Sequence, residues 1–158
     1  MSKPHMRMRE KKILRIGAKA LIPFILLFAF YVQFHGDYGP GGGFQAGVVA
    51  AAAVILYAII FGVSEAQRAA PPAIAEAMVP LGVLIFAGVG VFGFFTGSNY
   101  LDYSHLSDTQ VHGQEWGVFL VEAGVLVTVT GTMITIFYTF ATRGRTDPAR
   151  DDDKGGSD

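Results

Sequence analysis

Long apolar stretches alternate with short polar connections along this chain. Four stretches are long enough to cross a bilayer, and they cover residues 13–34, 41–62, 79–97 and 117–141. A crossing takes about 20 mostly apolar residues, because the hydrocarbon core is about 30 Å thick and a helix rises about 1.5 Å per residue. Backbone polar groups cannot stay unpaired in lipid, so these stretches must be helical. The pattern therefore predicts an all-α membrane protein with four transmembrane helices, in a membrane domain at 13–141.

The basic residues predict the orientation of these helices. Seven of the 12 Lys and Arg residues lie in the first 19 positions, Arg68 follows the second stretch, and the others follow the fourth. The loops at 35–40 and 98–116 have no Lys or Arg, so the positive-inside rule predicts that both termini are cytoplasmic. Residues 1–12 then form a basic cytoplasmic N-terminus. Residues 142–158 are rich in Asp and Gly, and they are expected to form a disordered cytoplasmic tail.

Composition narrows the functional class. The chain is 51% hydrophobic, which is too apolar for an ordinary soluble domain of 158 residues. It has no Cys and no recognisable nucleophile–base set, so neither an enzyme nor a cofactor is predicted. The net charge of -1 does not indicate nucleic-acid binding, and basic residues near the ends favour a lipid surface. Histidines and acids share one loop, but their irregular spacing favours a solvated acidic loop over a metal site: Asp102, His105, Asp108, His112 and Glu115.

A glycine-rich segment opens the second stretch, with the sequence HGDYGPGGGFQAG at residues 35–47. Pro40 suits the first turn of a helix, where its missing N–H costs nothing. The three glycines that follow leave the N–H groups of the helix start open to a carboxylate, a water or another helix. Gly43 and Gly47 lie one turn apart and offer a small-residue face for helix packing. The residues alone favour a tight turn and a packing face.

The same segment resembles a known family. The pattern HG-x-x-x-PGGGF-x-x-G, at the end of an apolar span in a small four-helix protein, is similar to the MnhB family, the B subunits of Mrp-type multisubunit cation/proton antiporters. The similarity extends over about residues 14–140. Structural positions of the motif are thereby assigned to Gly36, Pro40, Gly41, Gly42, Gly43, Phe44 and Gly47.

The resemblance implies a multi-pass subunit of a Na+/H+ antiporter in the cell membrane. Other membrane subunits would be its partners, the lipid bilayer its surroundings, and Na+ and H+ the transported ions. Its role would be in assembly of the complex and, as a hypothesis, in the ion pathway. The family often has His directly after the first glycine of the motif, whereas this chain has Asp37 there and His35 before Gly36. Asp37 and His35 are therefore both candidates for the ion pathway.

Glu122 is the third candidate for the ion pathway, because it lies inside the fourth apolar stretch. Ionisable residues within spans are rare and face protein or water. An ion-carrying carboxylate and a buried structural acid are both consistent with its position. Its helix face is otherwise apolar, so its partner is expected from the start of the second helix or from another subunit. Lys19 should lie more than about 10 Å away along the membrane normal, which argues against a direct pair.

Small and hydroxylated residues predict close helix packing. The threonines of the last helix are expected to bond to carbonyls of their own helix, although a polar path along them is the alternative. The packing positions are Gly93, Gly97, Gly124, Gly131, Thr128 and Thr132.

Three functional hypotheses follow. The first is a subunit of an antiporter complex, and the second is a purely architectural membrane subunit without an ion path. The third is a self-sufficient small four-helix exporter. Such exporters place an essential Glu in the first span, where this chain has Lys19 and no acid. Gly- and Ala-rich helix faces also predict stable partners in the membrane.

Overall fold

The computed structural model describes residues 4–36, 41–95 and 110–143. These residues form helices and their connections, with no strand among them. The helices are α1 (Pro4–His35), α2 (Gly43–Phe61), α3 (Val63–Ala69), α4 (Pro72–Phe95) and α5 (Gln110–Arg143). Four helices are long and apolar enough to cross a membrane, through the segments Lys12–His35, Gly43–Phe61, Pro72–Phe92 and Glu115–Arg143. The predicted all-α class with four membrane helices is confirmed.

The connection between the second and third membrane helices is itself helical. The short helix α3 was not predicted, and α4 begins at Pro72, before the apolar stretch expected at 79–97. Pro72 is suited to a first helical turn, and the Ala and Glu residues that follow it favour a helix without being strongly apolar. The apolar stretch expected at 79–97 therefore begins about two turns after the helix does, although the segment Pro72–Phe92 is apolar enough to cross a membrane.

One glycine both ends α2 and begins α3. Gly62 has a φ of 103°, a left-handed conformation that favours glycine. Its N–H donates to the carbonyl of Ala58 at 2.9 Å, and its own carbonyl accepts from the N–H of Ala66 at 3.1 Å. The chain therefore turns within a single residue, and α3 is held next to the end of α2.

Small residues fill the interior between the helices. The buried apolar residues of the described chain are mostly alanines, joined by Val32, Ile134 and Tyr138. Small side chains let helix backbones approach closely, which is how membrane helices gain packing energy without a hydrophobic driving force. Many of the other large apolar side chains are exposed, and Phe95 is 85% exposed. This arrangement suits a protein whose outer surface contacts lipid and partner helices.

The contact between α4 and α5 is close enough to require glycine. A Cβ atom built on Gly124 would lie 2.8 Å from the carbonyl oxygen of Gly82 and 3.1 Å from the amide nitrogen of Phe86. A Cβ atom on Gly82 would collide with the Thr128 hydroxyl and the Gly124 carbonyl. Further along, a Cβ atom on Gly131 would lie 2.6 Å from the carbonyl oxygen of Ala75. Gly93 lies in α4, and Gly97 lies outside the described residues.

The hydroxyls of α5 are satisfied largely within their own helix. Thr128 donates to the Gly124 carbonyl at 3.0 Å, and Thr132 donates to the Thr128 carbonyl at 2.7 Å. This is the usual bonding of threonine in a helix interior. Tyr138 instead reaches another element, and its hydroxyl donates to the Ala70 carbonyl at 3.0 Å. That bond fixes the end of α5 against the connection between α3 and α4.

Candidate functional site

The end of α1, the start of α2 and an early part of α5 meet at one place. We name this place the glycine corner and define it by Gly36, Gly41, Gly42 and Gly43. The N–H of Gly42 donates to the carbonyl of Val32 at 3.2 Å, which ties α2 to α1. Gly42 has a φ of 115°, and a Cβ atom on Gly41 would lie 2.7 Å from the same Val32 oxygen. Side chains other than hydrogen would therefore not fit this turn.

The carboxylate of Glu122 lies against the glycine corner. A Cβ atom on Gly36 would lie 3.0 Å from Oε2 of Glu122, and one on Gly42 would lie 3.2 Å from Oε1. The two carboxylate oxygens thus face the turn that leads into α2. The N-terminus of a helix presents free N–H groups and the positive end of its dipole, which suits a carboxylate. Of the two partners expected for Glu122, the start of the second helix is in contact with it.

The backbone of Glu122 is as close to the corner as its carboxylate. A Cβ atom on Gly43 would collide with the Glu122 carbonyl oxygen, and it would lie 2.8 Å from the carbonyl carbon. One turn later, a Cβ atom on Gly47 would lie 2.9 Å from Cβ of Val129. The hydroxyl of Thr130 donates to the Gly47 carbonyl at 3.2 Å. The first turns of α2 are therefore held directly on α5.

Gln33 is a polar residue near the corner that the sequence analysis did not single out. Its side chain is 5% exposed, and among the described residues neither its amide nitrogen nor its amide oxygen has a hydrogen-bond partner. It lies one turn before Gly36 on the same side of α1. Leaving a buried amide unpaired costs about 1–3 kcal/mol, so such a group is suited to binding a water or a cation. A lone amide within an aromatic run was the available signal in the sequence.

The other predicted residues of this region have different surroundings. The His35 ring stacks on the Tyr31 ring, with the ring centroids 5.1 Å apart. Phe44 is 64% exposed, so its ring is open to lipid or a partner. Asp37 and Pro40 lie outside the described residues.

The acidic loop with its histidines lies mostly outside the described residues too. Asp102, His105 and Asp108 precede the described part of α5, and the side chain of His112 is not described either. Within the residues that the structure describes, no group of three or more His, Cys, Asp or Glu could hold a metal ion.

A polar cavity of about 160 Å³ lies near the other end of α5. Tyr138 follows Glu122 by about 24 Å of helix, at about 1.5 Å per residue. The buried hydroxyl of Thr135 has no hydrogen-bond partner in the part of the chain that the structure describes, and Glu76 supplies a carboxylate from the first turns of α4. Glu76 was also missed by the sequence analysis, although an acid near the start of a membrane helix was a usable signal. The lining residues are Gln67, Pro72, Glu76, Thr135, Tyr138, Thr139 and Thr142.

Comparison with known proteins gives a consistent family assignment. The family model described as a domain related to the MnhB subunit of Na+/H+ antiporters matches residues 13–135. The chain belongs to the MnhB family. It is 32% identical over 130 residues to antiporter subunit mnhB2 of Staphylococcus haemolyticus, covering 78% of this chain and 89% of the relative. The subunit of the same name from Staphylococcus epidermidis is 32% identical over 133 residues, with 82% and 94% covered.

Membership of the MnhB family confirms the resemblance found in the sequence. Together with four helices able to span a membrane, it identifies a multi-pass protein of the cell membrane and a subunit of a multisubunit Na+/H+ antiporter. Proteins of the MnhB family are components of a transporter. The matched segment 13–135 includes Gln33, the glycine corner and Glu122, and it ends before Tyr138. The corner therefore lies in the part of the chain that defines the family.

Proposed function

We propose that Glu122 and the glycine corner form part of the ion pathway of the antiporter complex, with Na+ and H+ as the transported ions. One observation carries this proposal. The carboxylate of Glu122, inside a membrane helix, faces the turn that leads into α2. The residues of this turn that it approaches, Gly36 and Gly42, are glycines, so no side chain separates the carboxylate from their backbone. Polar residues of membrane helices that are placed in this way usually belong to ion or proton routes. The partners are the other membrane subunits of the complex.

The chemistry of this group suits exchange of the two ions. A carboxylate can hold a proton or bind a monovalent cation, and the site has the same net charge in either state. Antiport needs such a group at one point of the route, because the two ions must replace each other. N–H groups at the start of a helix can also orient water around a carboxylate.

Gln33 supports the same location. Its amide oxygen is a suitable ligand for a cation, and the amide is buried without a partner in the described chain. Gly36, which directly follows the end of α1, approaches Oε2 of Glu122. A hydrated ion or a water molecule at the corner would satisfy the amide of Gln33.

The test is Na+-dependent proton exchange in everted membrane vesicles that contain the whole complex. Glu122→Gln should assemble normally on native gels and lose exchange, because the amide has a similar shape but cannot carry a proton or the negative charge. Glu65→Gln is the matched control, since this acid lies on α3 in an exposed pair with Arg68. Normal exchange by an assembled Glu122→Gln complex would refute the proposal.

A purely architectural role is the second candidate. The close approach of the Glu122 backbone to Gly43 favours it, because this contact joins α2 to α5 whatever the charge of the side chain. In that case Glu122→Gln would leave the exchange per assembled complex unchanged, whereas Gly43→Ala would reduce the amount of assembled complex, because its added Cβ atom meets the Glu122 backbone. Measuring assembly and exchange on the same membranes separates the two roles.

A further inference from the structure

Two cationic side chains converge on one aromatic ring near the start of the first membrane helix. The guanidinium carbon of Arg15 and the amino nitrogen of Lys19 each lie 5.8 Å from the centroid of the Phe61 ring. Both side chains are exposed. Neither has an acidic partner within the described residues, where the ion pair present joins Arg68 and Glu65. The pair thus leaves two positive charges available at the membrane boundary.

An apolar groove begins beside these cations. It has a volume of about 170 Å³ and lies between α1, α2 and α3. Ile22 and Leu26 line one wall, Val54 and Tyr57 line the other, and the alanines of α3 close one end. No charged residue lines it.

The cations and the groove form one continuous surface. Lys19 lies one turn before Ile22 on α1, which places the charge at the mouth of the groove. On α2, the Phe61 ring beneath the cations stacks on the Tyr57 ring, with centroids 4.6 Å apart. From the cations the groove therefore extends along the helices, away from the start of the membrane-spanning segment Lys12–His35.

We propose that this surface binds an anionic phospholipid, with its phosphate at Arg15 and Lys19 and an acyl chain in the groove. The charge is complementary, because two cations that have no acidic partner among the described residues would face a headgroup that carries a negative charge. The shape is also suitable, since a groove of about 170 Å³ accepts part of a flexible acyl chain but not a partner helix about 10 Å in diameter. Basic pockets between membrane helices on the cytoplasmic side commonly bind anionic headgroups. This inference is independent of the ion pathway proposed above.

The test uses the whole purified complex in nanodiscs in which about one tenth of the lipid molecules are photoreactive. The probe is phosphatidylglycerol with a diazirine on its acyl chain, compared with phosphatidylcholine that has the same acyl chain. We expect phosphatidylglycerol to label the peptides that contain Leu26 and Tyr57. The double variant Arg15→Gln/Lys19→Gln should lower the ratio of phosphatidylglycerol to phosphatidylcholine labelling about 25-fold, since each of the two basic residues near an anionic surface contributes about fivefold. Arg143→Gln removes a charge away from the groove and should leave the ratio unchanged.

Two further variants keep the test decisive if the double variant assembles poorly. Arg15→Lys/Lys19→Arg retains both charges and should retain the labelling ratio. Ala69→Phe fills the groove while leaving the cations in place, and it should abolish labelling of the groove peptides.

Three outcomes would overturn the proposal. The first is equal labelling by the two lipids, and the second is labelling that persists in Ala69→Phe. The third is suppression of all labelling by free glycerol phosphate, which would identify a site for a soluble phosphate.

Discussion

Substituting alanine for Gly43 tests whether α2 and α5 need glycine where they meet. The new Cβ atom would collide with the Glu122 carbonyl oxygen, and it would lie 2.8 Å from the carbonyl carbon. Non-bonded carbons prefer about 3.5–4.0 Å, so the carbon contact alone would require the two backbones to separate by at least roughly 0.7 Å. The collision is with main-chain atoms, which cannot rotate away as a side chain would.

The expected energy follows from two opposing terms. Overpacking a close contact typically costs about 1–3 kcal/mol. Alanine gains about 1 kcal/mol over glycine inside a helix, and less at its first residue. We therefore expect a net loss of about 1–2 kcal/mol, on the difference of these two terms. The carboxylate of Glu122 should move away from the glycine corner at the same time.

The assay compares variants of the whole complex solubilised in mild detergent. Samples are heated in steps, and the remaining assembled complex is measured on native gels, while exchange is measured in vesicles. Gly43→Ala should lose assembly at a lower temperature and exchange more slowly than wild type. Gly17→Ala and Gly88→Ala are matched controls, because a Cβ atom at either position meets nothing within 4 Å. If Gly43→Ala behaves like these controls, the glycine corner does not depend on the absence of a side chain.

The remaining predictions concern packing and the buried polar groups. Gly82→Ala should lower the heat resistance of the complex at least as much as Gly43→Ala, because the added Cβ atom meets both the Thr128 hydroxyl and a carbonyl; heat resistance equal to wild type would refute this. Tyr138→Phe should cost about 1–3 kcal/mol in the same heating assay, since the Ala70 carbonyl loses its donor, and an unchanged profile would show that this bond contributes little. Gln33→Met should leave assembly intact or improved and lower exchange; full exchange would remove Gln33 from the ion pathway.

Fold class and family could both be predicted from local patterns. Each helix that crosses a bilayer must by itself be long enough and apolar enough for the hydrocarbon core. Lys12–His35 and the other membrane helices can therefore each be predicted from their own stretch of sequence. The PGGGF segment is equally local, and it led to the family that the comparison confirms. The orientation of the helices remains a prediction from the distribution of basic residues.

Parts of the candidate site depended on contacts between distant segments. Glu122 was singled out because an acid in an apolar helix is conspicuous in the sequence, but two different partners were consistent with it. Gln33 was missed because a lone amide near the end of a helix is normally solvated, and only the packing of α1 against its neighbours buries it. Glu76 was missed because α4 begins earlier than its apolar stretch.

The sequence by itself determined that this chain is a four-span membrane protein of the MnhB type. Both signals, the apolar length that a bilayer requires and the glycine motif, are contained within short stretches of sequence. Only the tertiary structure decided that the start of α2 lies on Glu122 and that Gly82 faces Gly124. Several helix faces carry small residues, and many pairings of them would satisfy the same pattern. The choice between these pairings rests on backbone contacts between residues far apart in the chain, and those contacts have no counterpart in any single stretch of sequence.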